Sequence, residues 1–325
     1  MHPALSVLLL TTLIGAGQGL FLALFTIESY AAFGLLPRVA PAFLAQGSAV
    51  ALVLLAAGLG ASFFHLGHPE RAWRAAAMWR TSWLSREVIA LPAFMGALFV
   101  YGGLHFCEIN PVLGQLPSGA PIELSAVVGS LATVLAFILF ICTAMIYASL
   151  RFLREWHSPL TVINYILLGG ASGFALAAGL ATLWAPGFAA FFAGWAVVLT
   201  VAGLLGRVAS LIRNARLKPK STLQTAIGIK HPRIVQKSQG AMGGSFNPRE
   251  FFHGQPTSRL APIKWVFLVT AFVLPTALFA TNLANPDAVT LFLAFAIQFA
   301  GLLLERWFFF AQANHPQNLY YQCVS

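Results

Sequence analysis

Between Phe64 and Glu87 the sequence gathers two imidazoles, two carboxylates, four guanidiniums and three indoles. It runs Phe64-His65-Leu66-Gly67-His68-Pro69-Glu70-Arg71-Ala72-Trp73-Arg74 and continues to Ser85-Arg86-Glu87. This set of side chains suits quinone chemistry at the rim of a membrane. Each quinone carbonyl oxygen needs a hydrogen-bond partner, and the ring exchanges protons with water as its redox state changes. A histidine titrating near neutrality and a carboxylate at a helix start meet those needs. Trp and Phe side chains would wall the ring. Composition alone leaves a second reading open, in which the stretch is an interfacial re-entrant helix anchored by Arg and Trp.

The elements that must position these residues follow from hydropathy. Of the 325 residues, 58% are hydrophobic and only 9% charged, whereas soluble domains carry about 25% charged residues. That excludes a water-soluble fold and a disordered chain, and the lack of a short-period repeat excludes a fibre. A membrane-crossing helix needs roughly 20 mostly apolar residues. Eight runs qualify: Leu5–Ile27, Ala42–Phe64, Glu87–Cys107, Ile122–Ser149, Pro159–Trp184, Gly187–Gly206, Ile263–Asn282 and Asp287–Ala311. No ten-residue segments alternate as a β-barrel requires. Pro37, Pro41, Asn110-Pro111, Pro117, Pro121, Pro186-Gly187 and Asn285-Pro286 mark the joints. The first run lacks a basic n-region and is too long for a signal-peptide core, so it is expected to stay as a span. The predicted fold is an all-α, eight-helix transmembrane bundle forming one domain over residues 1–325.

Charge orients the bundle. With eight spans, both termini and the 2–3, 4–5 and 6–7 segments share one side. That side holds eighteen of the nineteen Lys and Arg, and Arg38 is left on the other. The positive-inside rule therefore predicts cytoplasmic termini. Trp73, Trp79, Trp83, Trp156, Trp265 and Trp307 fall at the same interface, as an aromatic belt would. The runs Gly15-Ala16-Gly17-Gln18-Gly19 and Gly169-Gly170-Ala171-Ser172-Gly173 carry small-xxx-small spacing and predict a tight helix seam.

Other redox chemistry finds little support. Cys107, Cys142 and Cys323 are far apart and form no Cys-x-x-Cys pair, so the chain cannot ligate an iron–sulfur cluster alone. No Walker, dinucleotide or zinc spacing is present. Haem needs two histidines at matched depth. His65 and His105 lie near opposite ends of their spans, and His65 with His157 matches only at span ends. Polar residues within or beside spans are few, chiefly Gln18, Glu28, Glu87, Asn164, Gln298 and Glu305. Such residues are functional candidates by default. Glu28 and Glu123 lie near the outer interface and read as solvated. Glu305 reads as an interface pair with another span. A secondary transporter, the rival from another class, needs midplane charge and broken helices. The nearly uncharged midplane argues against it.

The residues also resemble a family. The opening Met1-His2-Pro3-Ala4-Leu5-Ser6-Val7, the Gly15–Phe21 seam and the His65–Arg74 segment resemble the DmsC-type anchors, membrane proteins of complex iron–sulfur molybdoenzymes. The resemblance continues through Lys220–Gln224, Gly243–Asn247, Arg249–Gly254, Glu305–Ala311 and His315–Tyr321, so it covers essentially the whole chain. Within the family the sequence is most similar to anchors of cytoplasmic, three-subunit sulfite-oxidising complexes.

That resemblance implies a function. A molybdopterin catalytic subunit and a four-cluster iron–sulfur subunit would dock on the cytoplasmic face of the bacterial inner membrane. The anchor would exchange electrons with ubiquinone or menaquinone, with no haem, iron–sulfur cluster or molybdenum of its own. The family's quinone site falls on a histidine in the His-Leu-Gly segment and a carboxylate opening the next span. Here those are His65 and Glu87, with Arg71 as a further donor. The basic segment 207–262 is the expected docking surface. Anionic lipid is its plainer partner, at about 1 kcal/mol per cation near the surface, and nucleic acid is excluded by the lack of a recognition motif. Electrons would pass from sulfite to quinone; the alternative is a quinol-oxidising anchor of a dimethyl sulfoxide reductase-like complex.

Overall fold

The computed structural model describes residues 4–64, 66–115, 121–218, 222–235, 258 and 260–315. Among the described residues, eight helices are long and apolar enough to cross a membrane. They are α1 (Leu5–Ala32), α2 (Pro41–Phe63), α3 (Trp83–Phe106), α4 (Leu124–Ala148), α5 (Pro159–Trp184), α6 (Ala189–Ala215), α8 (Leu260–Thr281) and α9 (Ala288–Ala311). A short surface helix, α7 (Leu223–Ile227), follows α6. Helices are the natural outcome here, because a helix satisfies its own backbone polar groups where lipid cannot.

Local chemistry sets their ends. Pro41 and Pro159 open α2 and α5 at the first helical turn, where a missing N–H costs nothing. The Ser82 hydroxyl accepts from the Ser85 amide at 3.3 Å and caps α3, and Asp287 accepts from the Thr290 amide at 2.8 Å and caps α9. Beyond α1 the chain turns at Gly34, whose φ of 71° is the left-handed conformation that favours glycine after a helix. Within α8 one π-helical turn spans Val269–Val273. A Cβ at Gly301 of α9 would meet the Ala271 nitrogen at 2.4 Å, so glycine lets α9 lie against that turn.

The seam predicted from small residues is the centre of the bundle. α1 and α5 are buried along most of their length and pack on each other, α1 also on α2 and α5 also on α6. A Cβ on Gly173 would stand 1.9 Å from the Gly19 carbonyl carbon, and one on Gly19 would stand 2.0 Å from the Gly169 oxygen. Backbone meets backbone there, which is how membrane helices gain packing without a hydrophobic drive between them.

Three boundaries differ from those expected by four residues or more. α1 runs on to Ala32 rather than stopping at Ile27. α3 starts at Trp83 rather than Glu87, because the Ser82 cap sets it. α6 runs on to Ala215 instead of stopping at Gly206, so Arg207 belongs to the helix and not to the basic segment. Alternate passes place the 2–3, 4–5 and 6–7 segments on the side of the N-terminus, here called the N side. The 1–2, 3–4 and 5–6 connections and the one from α8 to α9 lie on the far side, where β1 (Val112–Gln115) pairs antiparallel with β2 (Pro121–Glu123).

Candidate functional site

Glu87 sits in the second turn of α3, just inside the N-side rim, and is buried. The Thr143 hydroxyl of α4 donates to Glu87 Oε1 at 2.5 Å. Its neighbour Arg86 turns the other way, as adjacent helical residues must. Arg86 donates to the Trp79 and Arg80 carbonyls at 2.9 and 2.8 Å and lies 4.2 Å over the Trp83 ring. Those bonds pin the 2–3 segment across the start of α3. Glu87 is thereby a buried carboxyl with a hydroxyl donor, and among the described residues it forms no ion pair.

The rest of the 2–3 segment lies on the surface. Pro69–Met78 forms a 3-10 helix with no buried residue. Arg71 is exposed and pairs with Glu70 at 3.6 Å, while His68 Nδ1 meets the same Glu70 oxygen at 3.0 Å. Among the described residues no hydrogen bond or ion pair joins Arg71 to Glu87. His65 lies outside the described residues, as do 219–221, 236–257 and 259 of the expected docking segment and the chain beyond His315. Trp73 and Trp79 are exposed, each beside an arginine, Arg74 and Arg80. Trp156 departs from the expected belt. It is buried beneath the 4–5 loop and donates from Nε1 to the Phe309 carbonyl at 2.8 Å.

Beneath the rim lies an ionic layer that the linear sequence reveals only in part. Glu305 pairs with another span, as expected: its Oε1 meets Arg207 Nε of α6 at 2.7 Å. Arg207 itself, expected as a loop cation, is buried, since α6 carries it inward with Gly203 and Ser210 on one helical face. That spacing of three and four residues is the signal the sequence held. Arg306, expected near a helix end, is buried too. Its guanidinium lies 3.9 Å over the Tyr165 ring and 3.7 Å from Glu305 Oε2. On the loop above, Glu155 is held above the usual carboxylate range by burial, partly offset by the Asn314 amide, Arg154 and Arg213.

The remaining intramembrane polar residues tie helices together. Gln18 donates to the Ala136 carbonyl at 2.8 Å, Asn164 to Ser210 at 2.9 Å, and Gln298 to Thr200 at 2.8 Å. At the far side, the expectation of a solvated Glu28 is corrected. Tyr101 and Ser125 each donate to it at 2.6 Å, and His105 Nε2 faces it at 3.3 Å. Four helix ends converge there, and the packing withdraws the carboxylate from solvent. Glu123 behaves closer to expectation, half-buried and paired with the exposed Arg38 at 3.3 Å. Glu28 and His105 border a cavity of about 780 Å³. Glu87 and this cluster lie at opposite ends of α3, so they form two separate polar centres.

Comparison with known proteins adds the family. Residues 1–321 match the DMSO reductase anchor subunit (DmsC) family. The chain is 56% identical over 325 residues, covering 100% of both chains, to a sulfite dehydrogenase subunit of Allochromatium vinosum. With a match over nearly its whole length and eight apolar helices to seat in a bilayer, the chain belongs to the DMSO reductase anchor subunit (DmsC) family of multi-pass membrane proteins.

Proposed function

We propose that this chain is the quinone-reactive anchor of a molybdenum and iron–sulfur oxidoreductase that oxidises sulfite. The carrying observation is Glu87, a carboxyl buried beside the N-side rim and bonded, among the described residues, to a neutral hydroxyl rather than to a cation. A carboxyl so placed can give a proton to a quinone oxygen and take it back without breaking a salt bridge. His65 is the second proton-exchanging group and Arg71 a donor at the mouth. The balanced step is quinone plus two electrons and two protons giving quinol. Sulfite supplies the electrons through a molybdopterin subunit and a four-cluster iron–sulfur subunit. Full-length identity of 56% to a sulfite dehydrogenase subunit supports sulfite as the donor. The family description supports a second direction, quinol oxidation at the same site to feed a reductase.

The positive-inside distribution supports a cytoplasmic N side, and in this reading the membrane is the bacterial inner membrane and the partners dock on that side. The 6–7 segment, basic over much of its length, is their contact, and the exposed Trp73 and Trp79 of the 2–3 segment share its side of the membrane. If deletion of 221–253 leaves the soluble subunits on the membrane in full amount, that docking assignment fails. For the site, His65→Ala and Glu87→Gln are made in the complete complex. Sulfite oxidation with an artificial soluble acceptor should persist while quinone reduction is lost. Retention of quinone reduction in both variants would overturn the assignment.

A further inference from the structure

Two small cavities lie one behind the other between the 4–5 loop and Thr143. The first, about 10 Å³, is bounded by Glu155, Asn164, Arg207, Glu305, Arg306 and Tyr165. The second, about 20 Å³, is bounded by Thr12, Gln18, Thr143, Arg306 and Tyr165. Each has the scale of about one water molecule. Arg306 and Tyr165 form the wall between them, and Thr143 closes the inner one with the hydroxyl bonded to Glu87.

Polar atoms on these walls lack hydrogen-bond partners among the described residues. Asn164 Oδ1, Arg207 Nη2 and Glu305 Oε2 around the first cavity, and Thr12 Oγ1 beside the second, are buried with no hydrogen-bond partner among the described residues. Buried polar atoms in native proteins are satisfied, by ordered water where protein does not reach. Cavities of this size with such walls hold water, whereas a cavity lined by apolar side chains would stay dry. The sequence of groups from loop to site is then Glu155, water, Glu305 and Tyr165, water, Thr143, Glu87.

We infer that these cavities form a water-filled proton route joining the Glu155 loop to Glu87. The inference rests on the quinone reading of Glu87. When Glu87 gives its proton to a quinone oxygen, the carboxylate regains one from the inner water through the Thr143 hydroxyl. That water draws on Tyr165 and the outer water, and the outer water draws on Glu155 and bulk solvent. In quinol oxidation the same protons leave by the reverse order. No bond other than O–H is made or broken along the route. Arg207 and Arg306 relay no proton; they hold the waters by donation. The charged and titratable groups facing the outer cavity are Glu155, Tyr165, Arg207, Arg213, Glu305 and Arg306, and Cys142, Tyr147 and Tyr165 interact electrostatically with Glu87. The entrance is one turn of chain from Ser158, on the side where the N-terminus lies.

The test uses the complete complex in membranes with Tyr165→Phe, Thr12→Val and Glu155→Gln. Each should slow quinone-linked turnover by about tenfold, the low end of what a proton-transfer group contributes. The loss should deepen as pH rises and the solvent isotope effect should grow. A small permeant weak acid such as formic acid should restore much of the rate. Wild-type pH profiles and isotope effects in all three variants would overturn the route. Glu155→Gln, on the half-buried 4–5 loop and outside the spans, keeps the test decisive if a core variant fails to assemble. Glu87→Gln separates the two claims: if it abolishes quinone reduction while the three variants do not, only the route is wrong; if it too is silent, the quinone site itself is wrong.

Discussion

Arg207 of α6 holds Glu305 of α9 at 2.7 Å, with both side chains only 2% exposed. Charges so deep are tolerable because Glu305 faces Arg207 and, at 3.7 Å, Arg306, and aromatic faces cover both guanidiniums. Arg207 lies 5.6 Å from the Phe267 ring centroid and 5.8 Å from that of Phe308. Removing one partner strands the other, at a cost of about 3–5 kcal/mol for buried pairs. Arg207→Met and Glu305→Met should therefore each lower the melting temperature in detergent sharply. The double variant should melt above either single one, and additive losses would contradict the pairing.

The α1–α5 seam makes a prediction with its own control. Gly173→Ala puts a Cβ at 1.9 Å from backbone that cannot move aside, whereas Gly15→Ala meets the Gly169 Cα at an ordinary 3.5 Å. Overpacking typically costs about 1–3 kcal/mol or more. Folded yield and melting of the first variant should collapse, while the second stays near wild type.

Thr143 separates a hydroxyl's role from a methyl's. Thr143→Val keeps the shape but removes the 2.5 Å donor to Glu87. Quinone-linked turnover should fall about tenfold, within the range for groups that assist proton transfer. Thr143→Ser, which restores the hydroxyl, should recover most of it. Steady-state rates with a soluble quinone analogue decide the matter.

Glu155 predicts a pH dependence of stability. Burial raises its pKa above 4.5, so between 4.5 and the raised value the folded chain binds more protons than the unfolded one. Its contribution is thus fully present below the unfolded value and is lost as pH rises through the folded one. Melting of the wild type relative to Glu155→Gln should decline over that window and level off above it. A difference that grows with rising pH would reverse the sign.

The bundle was legible in the sequence because the properties that specify it are local. Hydropathy sets the spans, prolines and caps set their ends, and a lysine and arginine count separates the two sides. Gly19 and Gly173 announced their seam because small residues at helical spacing have one main use in lipid. Glu87 could be singled out because few ionisable residues occur within the spans. The tertiary structure alone decided that Glu87 faces Thr143, that Glu28 is enclosed by Tyr101, Ser125 and His105, and that Arg207 turns inward to Glu305. The physical reason is rotational phase. A helix apolar on every face has no polar stripe to show which side meets a neighbour. The partners of its few polar residues are set when glycine seams and the π turn fix how the helices rotate against one another.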